Sequence, residues 1–157
     1  MYLGDSRRGR RGFRPRKASL GKDPIVGGPI ARILIVDDDP YFLRVLGRIL
    51  TGENFQVKTA EGAAQAAQVL QENCFDLVIS DLRLPDGDGL SILQEIRKSG
   101  SEIPVVILTA YGEVDSYLEA MNAGATEYLN KPVKSEELIA VVRSCLRPRA
   151  SARGNAA

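Results

Sequence analysis

Short apolar runs alternate with amphipathic stretches along most of the chain, beginning at Ala31. The apolar runs lie at residues 33–36, 75–79 and 105–108, with weaker ones at 55–59 and 126–129. Runs of this kind predict strands of a parallel sheet that is covered on both faces. The stretches between them predict helices at residues 40–51, 61–73, 87–99, 112–123 and 134–146. Strict alternation of strand and helix predicts an α/β fold, with five strands in one doubly wound parallel sheet.

Local signals predict where several helices begin and end. Asp39 precedes Pro40 in the arrangement of a helix N-cap followed by proline at the first helical position. Gly52, Gly100 and Gly124 lie where three of the helices should end. The first helix also carries an apolar stripe that we interpret as core packing, formed by Tyr41, Phe42, Val45, Leu46, Ile49 and Leu50.

Polar residues follow four of the predicted strands. Asp37 and Asp38 come directly after the first strand, Asp81 after the third, Thr109 after the fourth and Lys131 after the fifth. Ligands of doubly wound folds bind at the carboxyl ends of the strands, so these side chains should converge on one edge of the sheet.

The convergent side chains predict a site for a hard cation and a phosphoryl group. Crowded carboxylates repel one another unless a cation lies among them. Oxygen ligands in a chain without histidine suit Mg²⁺, and Mn²⁺ would also fit. Lys131 adds a positive charge and Thr109 a hydroxyl group. Together they would form a cradle for a phosphoryl group carried on an aspartate, where positioning and charge neutralisation support an in-line displacement.

Four motifs resemble those of the receiver domains of two-component response regulators, the CheY-like superfamily. They read IVDDD at 35–39, DLRLPDGDGL at 81–90, LTAYG at 108–112 and YLNKP at 128–132. The resemblance covers residues 32–146, and its force comes from four motifs in the correct order at the correct strand ends. It implies a flavodoxin-like (βα)5 domain with strand order 2-1-3-4-5, which would bring Asp37 and Asp38 beside Asp81.

The resemblance implies a role for each acidic position. Asp81 matches the phosphoacceptor, and Asp38 the residue that binds Mg²⁺ directly. Asp37 matches the second acid, which acts through water or by hydrogen bonding. The backbone carbonyl of Arg83, two residues past the phosphoacceptor, matches a further metal ligand.

The resemblance also implies how the phosphoryl group is held and sensed. Thr109 and Lys131 match the residues that contact its oxygens. Tyr128 matches the aromatic residue that turns inward when Thr109 is drawn toward the phosphate, which would carry the signal to the face formed by the fourth helix, fifth strand and fifth helix. The bond between Lys131 and Pro132 should be cis, as is typical of the family.

Two bulky residues stand at positions that vary in the family that this chain resembles, and we predict that they tune the lifetime of the phosphorylated state. Arg83 lies two positions past Asp81, and Tyr111 lies two positions past Thr109. Both should flank the path of an attacking water and slow hydrolysis.

Three alternatives use similar chemistry or the same fold. A phosphatase of the haloacid dehalogenase type needs an acid two residues past its nucleophile, where this chain has Arg83; Asp37 and Asp39 have that spacing, but Tyr41 stands where a Thr or Val is expected. A nucleotide-binding flavodoxin-like module needs a phosphate loop after the first strand, where acids repel phosphate instead. A structural pseudo-receiver would lack one of the key groups, and none of them is missing from this sequence.

Composition and charge divide the chain into three parts. Residues 1–24 hold eight Lys or Arg against two Asp, whereas the remainder holds thirteen Lys or Arg against eighteen Asp or Glu. We therefore predict a basic, disordered arm at 1–30, the receiver domain at 31–147 and a short tail at 148–157. The arm is interpreted as a solvated tail, with contact to nucleic acid, an anionic membrane surface or an acidic partner as the alternative.

Partners follow from the resemblance and from the short C-terminal tail. A sensor histidine kinase or a histidine phosphotransferase should supply the phosphoryl group, and an output protein still to be identified should bind the phosphorylated face, which is also a candidate dimer interface. The tail leaves no room for a DNA-binding domain, so the chain should signal by contact; alternatively it is a receiver cut from a longer transcriptional regulator.

The chain should catalyse only its own phosphorylation and dephosphorylation. No apolar run approaches the ~20 residues of a membrane span, and a cytoplasmic location is expected.

Overall fold

A computed structural model describes residues 30–147 as one α/β unit. Five parallel strands form the central sheet: β1 (Arg32–Val36), β2 (Gln56–Ala60), β3 (Leu77–Ser80), β4 (Val105–Thr109) and β5 (Glu127–Asn130). Five helices alternate with them: α1 (Pro40–Gly52), α2 (Ala63–Glu72), α3 (Gly89–Lys98), α4 (Val114–Asn122) and α5 (Ser135–Leu146). The sheet order is β2-β1-β3-β4-β5, which confirms the predicted fold and topology.

Two apolar clusters cover the two faces of the sheet. Successive residues of a strand point to opposite faces, so Leu34 and Val36 join one cluster while Ile33 and Ile35 join the other. The first cluster packs under α2, α3 and α4, and the second under α1 and α5. Because β1, β3 and β4 are buried on both faces, their apolar runs are continuous in the sequence, as expected for parallel strands.

Most of the predicted helix boundaries agree with the structure. The Asp39 carboxylate accepts a hydrogen bond from the Tyr41 amide at 3.0 Å, so Asp39 caps α1. Gly100 and Gly124 follow α3 and α4 with φ of +84° and +100°, which glycine adopts without strain. After α1, by contrast, the left-handed position is taken by Asn54, with φ of 69°.

The apolar stripe predicted on α1 is wrong in part. Tyr41 is 69% exposed and Val45 is 38% exposed, so neither belongs to the core. The buried face of α1 consists of Leu43, Leu46 and Leu50, which makes it narrower than the run of apolar residues indicates.

A short antiparallel ladder, which the sequence pattern did not predict, lies between β3 and α3. It pairs Arg83–Leu84 with Gly87–Asp88. The two cysteines, Cys74 and Cys145, are half-buried. The predicted arm, apart from Ile30, and the predicted tail lie outside the described residues. None of the helices within residues 30–147 is long and apolar enough to cross a membrane.

Candidate phosphorylation and metal site

Backbone hydrogen bonds continue past the strand ends and bring the polar residues to one edge of the sheet. The amide of Asp37 donates to the Ala60 carbonyl at 3.1 Å, and the amide of Asp81 donates to the Val36 carbonyl at 2.8 Å. The amide of Lys131 likewise donates to the Thr109 carbonyl at 2.9 Å. These backbone hydrogen bonds, which continue the parallel sheet, therefore fix the backbone positions of Asp37, Asp81 and Lys131.

Three carboxylates meet at this edge. Oxygens of Asp37, Asp38 and Asp81 all lie within 4.8 Å of one another. Asp37 and Asp81 are buried, whereas Asp38 is exposed, so the cluster opens to solvent on the Asp38 side. Backbone amides hold the buried pair: Asp37 Oδ1 accepts from the Asp39 amide at 2.9 Å, and Asp81 Oδ1 accepts from the Arg83 amide at 3.2 Å.

Lys131 supplies the positive charge of the cluster. Its Nζ donates to Asp37 Oδ2 at 2.5 Å and to Asp81 Oδ2 at 3.1 Å. Burial raises the pKa of Asp37, although the hydrogen bond from Lys131 opposes the shift. The pKa of Lys131 is also raised: burial acts to lower it, but hydrogen bonds to Asp37 and Asp81 and their charges outweigh burial. The bond between Lys131 and Pro132 is cis, as predicted.

The donor set fits a hard divalent cation. One ammonium faces three carboxylates, so the cluster carries excess negative charge, and its side-chain ligands are all oxygens. Mg²⁺ prefers such ligands and commonly retains water at an open position, which the exposed side of Asp38 would allow.

A series of contacts joins Asp81 to Arg83, Arg83 to Tyr111 and Tyr111 to Thr109, and we call the last three residues the wall. Thr109 is fully buried, and its Oγ1 accepts a hydrogen bond from the Tyr111 amide at 3.1 Å. The Arg83 guanidinium lies 4.3 Å from the centroid of the Tyr111 ring, within the range of a cation–π contact. The side chains of Arg83 and Tyr111 are exposed, so this part of the wall faces solvent.

Tyr128 lies beside this wall, half-buried against the first apolar cluster. Its hydroxyl is 2.9 Å from Ser116 Oγ and donates to the Tyr111 carbonyl at 3.4 Å. The ring of Tyr117 meets it edge to face, with centroids 5.5 Å apart. Tyr128 is thus joined to the first turn of α4.

Comparison with known proteins identifies the family. A family model described as the response regulator receiver domain matches residues 33–143. The chain belongs to this family. Receivers of two-component systems typically carry a phosphorylated aspartate and bind Mg²⁺ in an acidic pocket, and they interact with histidine kinases. They are signalling proteins and not enzymes in the ordinary sense.

Curated relatives of this receiver include longer regulators. It is 41% identical over 122 residues to the transcriptional regulatory protein GlrR of Escherichia coli, a match covering 78% of this chain and 28% of GlrR. It is 39% identical over 113 residues to ZraR of Klebsiella oxytoca, covering 72% of this chain and 26% of ZraR. The chain therefore spans little more than a quarter of the length of these relatives.

Solved receiver structures share the fold. A CheY-like receiver from Methanospirillum hungatei is 30% identical with a TM-score of 0.73, and the match covers 75% of this chain and 94% of the other. A receiver from Clostridium thermocellum is 34% identical with a TM-score of 0.71, covering 74% and 94%. Membership of the receiver family favours a signalling role over the phosphatase and nucleotide-binding alternatives.

The sequence pattern did not reveal two helix-capping residues in the loop that follows Asp81. Asp86 and Asp88 look like solvated turn residues, but both cap helices. Asp88 accepts from the Ser91 amide at 2.7 Å, and its position directly before α3 was a usable signal. Asp86 accepts from the Ala63 and Ala64 amides at 2.7 and 3.0 Å, and these hydrogen bonds lower its pKa.

Proposed function

We propose that the chain is a phosphoacceptor switch in which Asp81 accepts a phosphoryl group with the help of Mg²⁺. The observation that carries the proposal is the Lys131 ammonium, which lies between Asp37 and Asp81 inside a cluster of three acids. Excess negative charge destabilises a cluster that serves only the fold, whereas it attracts the divalent cation at a metal site.

Mg²⁺ would be held by Asp38, by Asp81 and by the backbone carbonyl of Arg83, with Asp37 acting through water. When bound, the cation would neutralise charge on the phosphoryl oxygens and the attacking carboxylate. The exposed position of Asp38 supports its place at the open side of the site.

The protein's own groups would position the reaction. An oxygen of Asp81 forms the new bond to phosphorus, and the bond from phosphorus to the donor breaks, with its electron pair leaving on the donor atom. Lys131 holds the phosphoryl oxygens through its ammonium, and Thr109 through its hydroxyl proton. The Thr109 oxygen already accepts from the Tyr111 amide, so the hydroxyl can donate to the phosphoryl group.

Output would pass through the surface formed by α4, β5 and α5. A movement of Thr109 toward the phosphoryl group would act on the Tyr111 amide, and the Tyr128 hydroxyl contacts the carbonyl of the same residue. Tyr128 would couple the site to α4 in this way. Val114 and Leu118 are 74% and 51% exposed on α4, which suits a surface that binds a partner or a second copy.

Arg83 and Tyr111 would lengthen the phosphorylated state by covering the path of the attacking water. Their cation–π contact holds the two exposed side chains together. We expect Arg83→Ala and Tyr111→Ala to shorten the lifetime of the acyl phosphate, measured by loss of label after the donor is removed. Lifetimes equal to that of the parent protein would contradict this part of the proposal.

The phosphorylation itself is tested with acetyl phosphate and Mg²⁺, with the product followed by intact mass. The parent protein should gain one phosphoryl group, Asp81→Asn should gain none, and omission of Mg²⁺ should stop the reaction. Asp88→Asn is the matched control, because it removes a nearby carboxylate but leaves an effective helix cap. An unmodified parent protein, or an Asp81→Asn variant that is still phosphorylated, would overturn the proposal.

A second candidate is the same switch acting inside a longer transcriptional regulator. It is favoured by GlrR and ZraR, which are transcriptional regulators and are much longer than the matched region. Under both candidates the donor would be a sensor histidine kinase or a histidine phosphotransferase. The intact mass of the protein isolated from its native cells distinguishes them, because a stand-alone protein would have a mass near 17.1 kDa.

A further inference from the structure

Phe42 contacts the site although it is neither an acid nor a phosphate ligand. It is the third residue of α1 and is half-buried against the second apolar cluster. Its ring centroid lies 4.1 Å from Nζ of Lys131, well inside the ~6 Å range of a cation–π contact.

The start of α1 fixes the position of this ring. Asp39 caps the helix through the Tyr41 amide, and Pro40 fixes the first helical position. The Asp39 amide in turn donates to the carboxylate of Asp37, so the acid that binds Lys131 and the helix that carries Phe42 are joined within a few residues.

The ammonium is held from three directions. Two of its N–H groups donate to Asp37 and Asp81, and the aromatic face of Phe42 lies against the same nitrogen. The Lys131 side chain is 18% exposed, so little water competes for the third direction. An aliphatic side chain at position 42 would fill space there without attracting the charge.

We propose that Phe42 is a positioning residue for Lys131: its ring holds the ammonium between Asp37 and Asp81, where a phosphoryl oxygen arrives. The inference rests on the proposed function. The four methylene groups of a lysine side chain allow many rotamers. A ring that attracts the ammonium increases the population of the rotamer in which the ammonium can contact the phosphoryl group. A cation–π contact of ordinary strength then corresponds to about a three- to tenfold difference in the rate of phosphoryl transfer.

The first test compares variants in phosphorylation by acetyl phosphate with Mg²⁺. Phe42→Leu should react about three- to tenfold more slowly than the parent protein, and Phe42→Tyr should stay within about twofold of it, since only the second keeps the aromatic face. Tyr41→Leu is the matched control, because Tyr41 is an exposed aromatic residue on the same turn and should leave the rate unchanged. Equal rates for Phe42→Leu and the parent protein would overturn the inference.

A second test separates the charge of the ring from its size. Mono-, di- and trifluorinated phenylalanine at position 42 progressively weaken the negative face of the ring with little change in shape. The rate should fall stepwise along the series while the thermal midpoint stays constant. A flat series would overturn the inference even if Phe42→Leu is slow or unstable. If the parent protein accepts no phosphoryl group at all, the proposed function fails first, so the two failures are distinguishable.

Discussion

Removal of the Lys131 ammonium should destabilise the metal-free protein strongly. Lys131→Met keeps an unbranched side chain that is one atom shorter, but Asp37 and Asp81, whose side chains are 2% and 7% exposed, lose their shared positive charge. Breaking a buried ion pair by removing one partner costs about 3 to 5 kcal/mol. Lys131 is partly exposed and protonation of Asp37 can relieve some repulsion, so we expect a loss of about 2 to 4 kcal/mol in the free energy of unfolding.

Urea unfolding followed by far-UV circular dichroism measures this loss. Lys98→Met is the matched control: Lys98 and Glu95 are 3.7 Å apart but 74% and 76% exposed, so its removal should change the free energy by less than about 0.5 kcal/mol. Added Mg²⁺ should restore more stability to Lys131→Met than to the parent protein, because the cation replaces the missing charge. A loss for Lys131→Met no larger than for Lys98→Met would refute the view that this ammonium compensates two buried charges.

Three further perturbations test neighbouring features. Asp38→Asn should raise the free energy of unfolding without metal by up to about 1 kcal/mol, since it removes excess negative charge, and should abolish stabilisation by Mg²⁺; urea titrations with and without Mg²⁺ give both values. Asp86→Ala should lower the thermal midpoint at pH 7, because α2 loses its capping carboxylate. Folding lowers the pKa of Asp86 from its ordinary value of 3.8, so this stabilisation should be lost as pH falls below 3.8 through the folded-state pKa. Thermal midpoints of the two proteins that differ as much at low pH as at pH 7 would contradict it. Ser116→Ala should cost about 1 kcal/mol in urea unfolding, because one hydroxyl completes the capping box of α4 and contacts Tyr128; no loss would show that neither contact stabilises the fold.

The sequence was most informative where buried strands end in polar residues. The apolar runs predicted β1, β3 and β4, and parallel strands necessarily bring Asp37, Asp81 and Thr109 to one edge. Local chemistry was equally reliable at Asp39, where the cap and Pro40 are adjacent in sequence.

Contacts between distant elements could not be predicted in the same way. Phe42 looks like any apolar residue of an amphipathic helix, and only the folded chain brings its ring to Lys131. The exposure of Tyr41 was missed for a related reason: the apolar residues of α1 extend beyond the face that meets the sheet.

The cap that Asp86 provides links two segments that are 23 residues apart in sequence. Both of its carboxylate oxygens bind amides of α2, and the Cβ of any larger residue at position 62 would lie 2.7 Å from one of these oxygens. The loop that follows Asp81 therefore cannot shift on this side without uncapping a helix.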